Sequence, residues 1–236
     1  MRLLTILCLV LLSVHSYSQE VVTGHILIRD GIRYHQDTNE PVTGIVEEFY
    51  EDGQLLSRKN YIDGKEDGLI EEFHENGQLE VRGNHKDGKR DGLWERFHEN
   101  GQLKFRGNYI NGEQDGLHEY FYDNGQLEMR VNFKDGKENG LYKIFHENGQ
   151  LNFRGNHKDG KQDGLVEVFH DNGQLSSRKN YIDGKSDGLW EYFDENGNLT
   201  GTYTYRNGEL VKQNSILLDQ LVDKYNNLIL ELNLNP

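Results

Sequence analysis

The chain of 236 residues contains little cysteine, little proline and few apolar residues. It has one cysteine and two prolines, and hydrophobic residues make up only 34% of it. Because Cys8 is the only cysteine and lies inside an apolar run, we expect neither a disulfide nor a lipid anchor. The 27 glycines and the low apolar content favour a thin, turn-rich architecture over a thick globular core.

Long hydrophobic runs are also lacking beyond the first residues. The one apolar run, Leu3–Val14, follows Arg2 and precedes Ser16 and Ser18. This order of charged, apolar and small residues is typical of a secretory signal peptide, which we assign to residues 1–18. The run is too short for a membrane-spanning helix. We therefore expect an exported protein, either periplasmic or secreted to the cell surface.

Positive charge is scarce. The chain has 26 lysines and arginines against 40 aspartates and glutamates, which gives a net charge of −14. Such a chain repels both the phosphate backbone of nucleic acids and anionic lipid headgroups. We therefore exclude a nucleic acid as a partner, and we do not expect membrane binding.

The sequence has no catalytic constellation. No cysteine is left after the signal peptide, the serines have no converging histidine and aspartate, and no G-x-x-x-x-G-K loop opens a helix. We therefore expect no enzyme activity and no cofactor.

Two patterns could suggest a metal, and neither predicts one. The D-G-K-x-D-G segments offer two aspartates each, whereas Ca²⁺ needs about six to eight oxygen ligands, so turn geometry explains them better. A second pattern is a series of histidines spaced 24 residues apart, which would not converge on one zinc ion. Its members are His74, His98, His146 and His170.

A 24-residue repeat fills most of the chain. The tripeptide D-G-L or N-G-L recurs with this period, and so do the glycines of an N-G turn and of a second D-G turn. The tripeptide starts at Asp67, Asp91, Asp115, Asn139, Asp163 and Asp187. We assign seven such units to residues 44–211.

Each unit is predicted to be a β-hairpin, because its apolar residues alternate with period two. A three-residue loop that ends in a left-handed Gly77 would pair Phe73 with Leu79 on one face, whereas a two-residue loop would separate them. We therefore predict the three-residue loop.

This parity predicts a core side and a wetter side for every unit. The wetter side is expected to hold the positions equivalent to 70, 72, 80, 82 and 84. Glu71 and its equivalents fall on the core side, where the pattern does not explain them. The predicted core residues of the first units are Leu69, Phe73, Leu79, Val81, Leu93, Phe97, Leu103, Phe105, Tyr109, Leu117, Phe121, Leu127, Met129 and Phe133.

The two ends depart from the repeat. Residues 19–43 alternate around a Gly31 turn and predict an N-terminal cap hairpin. Residues 212–236 predict an amphipathic helix that starts after Asn214 or Ser215 and covers the last repeat. Its apolar residues are Leu218, Leu221, Val222, Tyr225, Leu228, Ile229 and Leu232.

The unit D-G-L-W-E-R-F-H-E-N-G-Q-L-K-F-R-G-N-Y-I-N-G, Asp91 to Gly112, resembles the bacterial variant of the MORN repeat. The whole arrangement is similar to proteins of the YwqK-type antitoxin-like family. The resemblance implies an all-β fold, an elongated and twisted antiparallel sheet of successive hairpins. Together with the repeat count and the two ends, we expect seven hairpins with the N-terminal hairpin and the C-terminal helix as caps. It also implies a scaffolding role without catalysis.

The candidate binding face is the wetter side, where arginine recurs every 24 residues. We expect Arg106 to stack on Trp94 across the hairpin, and Arg130 and Arg154 to stack in the same way on the residues at 118 and 142. Such pairs could simply brace an exposed sheet, or they could form a contact strip. The candidate residues are Arg58, Arg82, Trp94, Arg106, Tyr120, Arg130, Tyr142, Ile144, Arg154, Arg178, Trp190 and Tyr192.

The sequence therefore predicts an exported, non-catalytic repeat scaffold that binds a protein of unknown identity through an extended sheet face. Two alternatives stay open. One is a module that binds cell-wall glycan, and the other is an antitoxin or immunity protein that sequesters a toxin.

Overall fold

A computed structural model describes residues 21–22, 24–215 and 221–229, so the predicted signal peptide lies outside the described residues. Residues 221–229 are helical. The strands are β1 (Ile26–Arg29), β2 (Ile32–His35), β3 (Gly44–Phe49), β4 (Leu55–Ile62), β5 (Lys65–Phe73), β6 (Leu79–Lys86), β7 (Lys89–Arg90), β8 (Gly92–Phe97), β9 (Leu103–Ile110), β10 (Glu113–Phe121), β11 (Leu127–Lys134), β12 (Lys137–Phe145), β13 (Leu151–Lys158), β14 (Lys161–Gln162), β15 (Gly164–Phe169), β16 (Leu175–Ile182), β17 (Lys185–Ser186), β18 (Gly188–Phe193), β19 (Leu199–Arg206) and β20 (Glu209–Ser215).

The strands from β3 to β20 form one long antiparallel sheet in chain order, and β1 and β2 form a separate two-stranded sheet. The two-residue strands β7, β14 and β17 are short first segments of the longer strands that follow them, because both segments pair with the same neighbour. The predicted fold class, a sheet of repeated hairpins, is confirmed. Within the described part of the chain, no helix is both long and apolar enough to cross a membrane.

The N-G turn has the predicted three-residue loop. The His74 amide donates to the Gln78 carbonyl oxygen at 2.8 Å, and the Gly77 amide donates to the His74 carbonyl oxygen at 2.8 Å. Gly77 has φ +80°, the left-handed region that glycine enters without a Cβ clash. Phe73 then pairs with Leu79, as the parity argument requires.

The D-G turn is a two-residue hairpin turn. Ile62 pairs with Lys65, and Asp63 and Gly64 between them have φ values of +49° and +78°. Positive φ at both central residues defines a type I′ turn, whose twist matches that of the flanking strands. The same Asp-Gly or Asn-Gly conformation recurs in every unit.

One irregularity in each hairpin overturns the predicted sides of the sheet. After the pair Phe73 and Leu79, the next pair is Glu72 with Val81, so Glu80 is an extra residue on β6. The same one-residue bulge occurs in all seven hairpins. A slip of one residue moves every following side chain to the other face. The alternation of apolar residues does not show this extra residue.

The bulge defines two faces, which we name by their side chains. The aromatic face holds the positions equivalent to 70, 72, 81, 83 and 85, and the ladder face holds those equivalent to 69, 71, 82 and 84. Ile70, predicted to be on the wetter side, is only 3% exposed, whereas Leu93, predicted to be core, is 52% exposed. The predicted burial of Val81, Phe105 and Tyr109 is confirmed.

The other predicted core residues are either exposed or half-buried. The prediction is wrong for the repeated leucines of the ladder face, since Leu69 and Leu117 are exposed as well as Leu93. The remaining ones are half-buried: Phe73, Leu79, Phe97, Leu103, Phe121, Leu127, Met129 and Phe133.

Successive units are hydrogen-bonded to each other at both ends of their strands, where the turns lie. At the D-G turn, the Gly88 amide donates to the Glu66 carbonyl oxygen at 2.8 Å, and the Asp87 amide donates to the Asp67 carboxylate at 3.0 Å. At the N-G loop, the Asn76 side-chain amide donates to the Glu99 carbonyl oxygen at 2.8 Å. The repeated Asp and Asn therefore serve turn geometry and unit stacking.

The histidine series is part of the same stacking. His74 Nε2 lies 3.1 Å from the carbonyl oxygen of Phe97 in the next unit, and His98 and His170 make the equivalent contact. Tyr122, which interrupts the histidine series, donates its hydroxyl to the Phe145 carbonyl oxygen at 2.8 Å. A side chain that reaches the next unit is what this position requires.

The two ends behave differently. Val22 and Ile26 pack on a buried cluster of Val42, Val46 and Tyr61, so the N-terminal segment covers the first unit. Residues 221–229 are helical, as predicted, but their side chains are exposed, which contradicts the prediction that this helix covers the last repeat. Positions 214 and 215 end β20, and residues 216–220, where the helix was predicted to begin, lie outside the described residues.

Gly83 tests the packing of the aromatic face. A Cβ at Gly83 would lie 2.4 Å from the Trp94 indole, whereas a Cβ at Gly155 would lie 3.2 Å from its nearest neighbours. We expect Gly83→Ala to lower the free energy of unfolding by about 1–3 kcal/mol. The indole is held by its hydrogen bond to the Asn84 carbonyl oxygen, and it would have to move to make room for the added methyl group. Gly155→Ala is the matched control and should cost clearly less. Urea unfolding measures both, and equal losses would contradict this packing.

Candidate binding faces of the sheet

The ladder face carries an alternating row of arginine and glutamate across neighbouring strands. Arg58 lies 2.7 Å from Glu47, and Arg82 lies 3.4 Å from Glu71. The six predicted arginines all occupy this face: Arg58, Arg82, Arg106, Arg130, Arg154 and Arg178.

The predicted stacking of these arginines on Trp94, His118 and Tyr142 is wrong. Arg106 pairs with Glu95 across the hairpin, and Trp94 pairs with Gly107 instead. The bulge is the cause, since it shifts each arginine by one position along its partner strand. It also accounts for the repeated glutamates, which neutralise the arginines.

Glu119 is the most enclosed member of the row, with 2% of its surface exposed. Arg106 donates to one of its carboxylate oxygens, and Arg130 Nε donates to the other at 2.8 Å. Burial by itself raises the pKa of Glu119, but the two guanidinium groups outweigh it and hold the pKa below its ordinary value. The pair of arginines therefore keeps this buried carboxylate ionised.

Removal of the Glu119 charge should therefore weaken the sheet in a pH-dependent way. We expect Glu119→Gln to lower the free energy of unfolding at pH 7 by about 1–3 kcal/mol, because two guanidinium groups lose an ionised acceptor. A carboxylate with a depressed pKa stabilises the fold above its unfolded pKa, and this contribution disappears as the pH falls through the folded pKa. The difference between variant and wild type should therefore shrink in acid.

The control for this prediction is Glu75→Gln, in an exposed N-G loop. It removes the same charge without an arginine partner, so it should change stability little at any pH. Denaturant unfolding between pH 3 and pH 8 separates the two variants. A Glu119→Gln deficit that is constant with pH would mean that Glu119 is not held ionised by Arg106 and Arg130.

The aromatic face holds the predicted aromatic residues, on the side opposite the arginines. One chain of ring contacts joins His85 to Trp94 at 5.1 Å between centroids, Trp94 to Tyr109 at 6.3 Å and Tyr109 to His118 at 5.3 Å. The structure therefore does not bring the predicted site together on one face. The predicted residues that lie on the aromatic face are Trp94, Tyr120, Tyr142, Ile144, Trp190 and Tyr192.

Some of these aromatic residues are structural. The Trp94 indole N–H donates to the Asn84 carbonyl oxygen at 3.0 Å, and only 3% of Trp94 is exposed. Trp190 makes the equivalent bond in the last unit. His118 takes this place in the fourth unit, where burial lowers its pKa and so favours the neutral imidazole. Trp94 is therefore part of the core and offers little surface to a partner.

Apart from Trp94, the predicted residues of this face are half-buried and do offer surface. This group is Tyr120, Tyr142, Ile144, Trp190 and Tyr192. The aromatic rings among them rest against aromatic neighbours of the adjacent strands, as in Tyr120 on Phe105 at 4.9 Å and Tyr142 on Phe153 at 5.3 Å. Each ring is thus held in place with part of its surface free for contact.

A pocket of about 210 Å³ opens on this face in the third unit. Trp94, Phe105, Tyr109 and Tyr120 form its aromatic walls. Three cations complete the lining, namely Arg90, Arg96 and Lys104.

Arg90 lies 4.3 Å from the centroid of the Trp94 ring, a cation–π contact. Among the ion pairs of the described residues, none involves Arg90, Arg96 or Lys104. These three cations were missed by the sequence analysis. The available signal was that each stands at a repeat position where the other units carry different residues.

The residues that the structure describes include no group of three or more histidine, cysteine, aspartate or glutamate side chains placed to hold a metal ion.

Seven matches to the family model described as "MORN repeat variant" cover residues 42–63, 66–87, 90–111, 114–135, 138–159, 162–183 and 186–207. The chain belongs to this family. The matches follow the seven hairpins from β3 to β19. Proteins of this class are repeat scaffolds, in which each unit packs on its neighbours.

A search of curated proteins finds no match. Among solved structures, the crystal structure of TarM is matched at a TM-score of 0.28 and 17% identity, over 42% of this chain and 19% of that one. A mutant of S. aureus TarM in complex with Fondaparinux, alpha-GlcNAc-glycerol and UDP is matched at 0.28 and 16%, over 41% and 19%. The matched region is thus about a fifth of the TarM chain, and these scores are too low to relate the two folds.

Proposed function

We propose that this repeat scaffold binds a protein partner through its aromatic face, without catalysis. The observation that carries the proposal is the pocket of the third unit, which combines aromatic walls with Arg90, Arg96 and Lys104. Tyrosine, tryptophan and arginine dominate the energetically important positions of protein interfaces. Half-buried aromatic residues of the fourth and fifth units extend this surface along the sheet.

The charge distribution supports the aromatic face over the ladder face. The arginines of the ladder face are mostly neutralised by the chain's own glutamates, which favours a bracing role for them. The pocket cations have no such partner among the described residues, although the chain as a whole carries a net charge of −14. A partner with an apolar anchor beside an acidic group fits this combination.

We also propose export, on the basis of the charged, apolar and small residues of segment 1–18. The partner would then be a periplasmic, secreted or cell-surface protein. The finer relationship to bacterial YwqK-type antitoxin-like proteins is a hypothesis, and it would make the partner a toxin. A glycan-binding module is the alternative of another class, since sugars also stack on exposed aromatic rings.

Affinity capture with residues 19–236 tests the proposal. We expect the wild type to retain one discrete protein from the envelope fraction of the source cell, and the double variant Arg96→Glu, Lys104→Glu to retain at least about tenfold less. The control is Lys86→Glu, Lys158→Glu, which makes the same charge change at exposed strand ends near the D-G turns. This control variant should retain the same amount of the envelope protein as the wild type.

Two outcomes would contradict this function. Retention on purified cell-wall glycan without any captured protein would favour the wall-binding module. Equal capture of the same protein by wild type and by the Arg96→Glu, Lys104→Glu variant would mean that the aromatic face is not the interface. Circular dichroism of the double variant checks that its sheet is intact.

A further inference from the structure

The glutamate row of the ladder face is interrupted in one unit. Six units carry glutamate at the position that faces the arginine row, and the fifth unit carries Lys143. Lys143 pairs with Arg130 on β11 and with Arg154 on β13. Three cations therefore lie side by side on three neighbouring strands, where Glu71, Glu95, Glu119 and Glu167 each lie between two arginines in their own units.

This arrangement is electrostatically unfavourable for the isolated chain. Neighbouring strands lie about 4.8 Å apart, and like charges directly opposite each other destabilise a sheet. Arg130 is bonded to Glu119 and Arg154 to Glu167, both on the far sides of the triplet. For Lys143, no carboxylate lies within 4.0 Å among the described residues.

The triplet is accessible to a ligand. The side chains of Arg130 and Arg154 are 46% and 48% exposed, and both project from the ladder face. Leu141 lies two residues before Lys143 on the same face of β12 and is 46% exposed. An incoming group would therefore find two guanidinium groups, one ammonium group and an apolar side chain together.

We propose that Arg130, Lys143 and Arg154 bind a carboxylate from an acidic segment of a partner protein. The carboxylate supplies the negative charge that a glutamate supplies between two arginines in four of the other units. Carboxylate is favoured because each of the six arginines of this row is paired with a glutamate carboxylate of the chain itself, and because guanidinium groups suit its planar geometry. The inference rests on the proposed function only in that a protein carries the carboxylate.

Titration with an acetylated and amidated hexaglutamate peptide tests the site. We expect binding to the wild type at low salt, with chemical-shift changes centred on β11, β12 and β13, and weaker binding as salt is added. Lys143→Glu, which restores the residue of the other units, should weaken binding at least about tenfold. Lys86→Glu makes the same charge change at an exposed site and should stay within about twofold of the wild type.

Thermal unfolding shows that a loss of binding does not come from a loss of fold. Lys143→Glu completes the charge row, so its melting temperature should rise by about 1–4 °C, while Lys86→Glu should leave it nearly unchanged. Failure of hexaglutamate to bind the wild type, or equal weakening by both variants, would overturn the inference. So would a lower melting temperature of Lys143→Glu.

These results are separable from those for the aromatic face. The double variant Arg96→Glu, Lys104→Glu lies on the other face and should keep its hexaglutamate shifts on β11 to β13. If that variant loses the shifts while Lys143→Glu keeps them, the acidic ligand binds the aromatic face, and the inference fails while the proposed function stands. If only Lys143→Glu loses the shifts and the wild type captures no envelope protein, the inference stands and the proposed function fails.

Discussion

The extra residue on the second strand of each hairpin is the feature on which the rest of the structure depends. It follows the pair of Phe73 and Leu79 and shifts the remainder of the ladder by one position. Because of this shift, Arg82 faces Glu71 and Ile70 faces Gly83. The rows of arginine and glutamate are thereby collected on one face, and the rings that include Trp94 and Tyr109 lie on the other. Repeated seven times, the same shift gives the protein a neutralised face and an aromatic face.

The aromatic face illustrates how a single sheet can bury large side chains without a second layer. Trp94 occupies the space above Gly83, where a Cβ would clash with the indole, and its N–H is bonded to the neighbouring strand. In the fourth unit His118 fills the same space above Gly107. Glycine on one strand and a flat ring on the next are thus complementary, and the repeated Arg-Gly-Asn segment is explained by packing as well as by charge.

Much of the fold could be predicted from the sequence, because its determinants are local. The period of the glycines gave the hairpins, and the parity of Phe73 and Leu79 gave the three-residue loop with its left-handed Gly77. The bulge could not be read from apolar alternation, since it adds one residue without a glycine or proline to mark it. The unexplained glutamates were the available clue, because a row of glutamates and a row of arginines with the same period are expected to meet. The pocket cations Arg90, Arg96 and Lys104 could not be predicted from the repeat, because the other units carry different residues at these positions.

Hydrogen bonds from one unit to the next, such as those from Gly88 and Asn76, join each hairpin to its immediate neighbours. The sheet therefore grows by a constant step: one unit adds two strands, or about 10 Å of width. The pocket of the third unit and Lys143 of the fifth are two such steps apart, roughly 20 Å along the sheet. Gain or loss of a whole unit between them would change this spacing in a fixed increment and leave the chemistry of each site intact. The number of units thus sets the distances between binding sites, and single side chains set the specificity of each site.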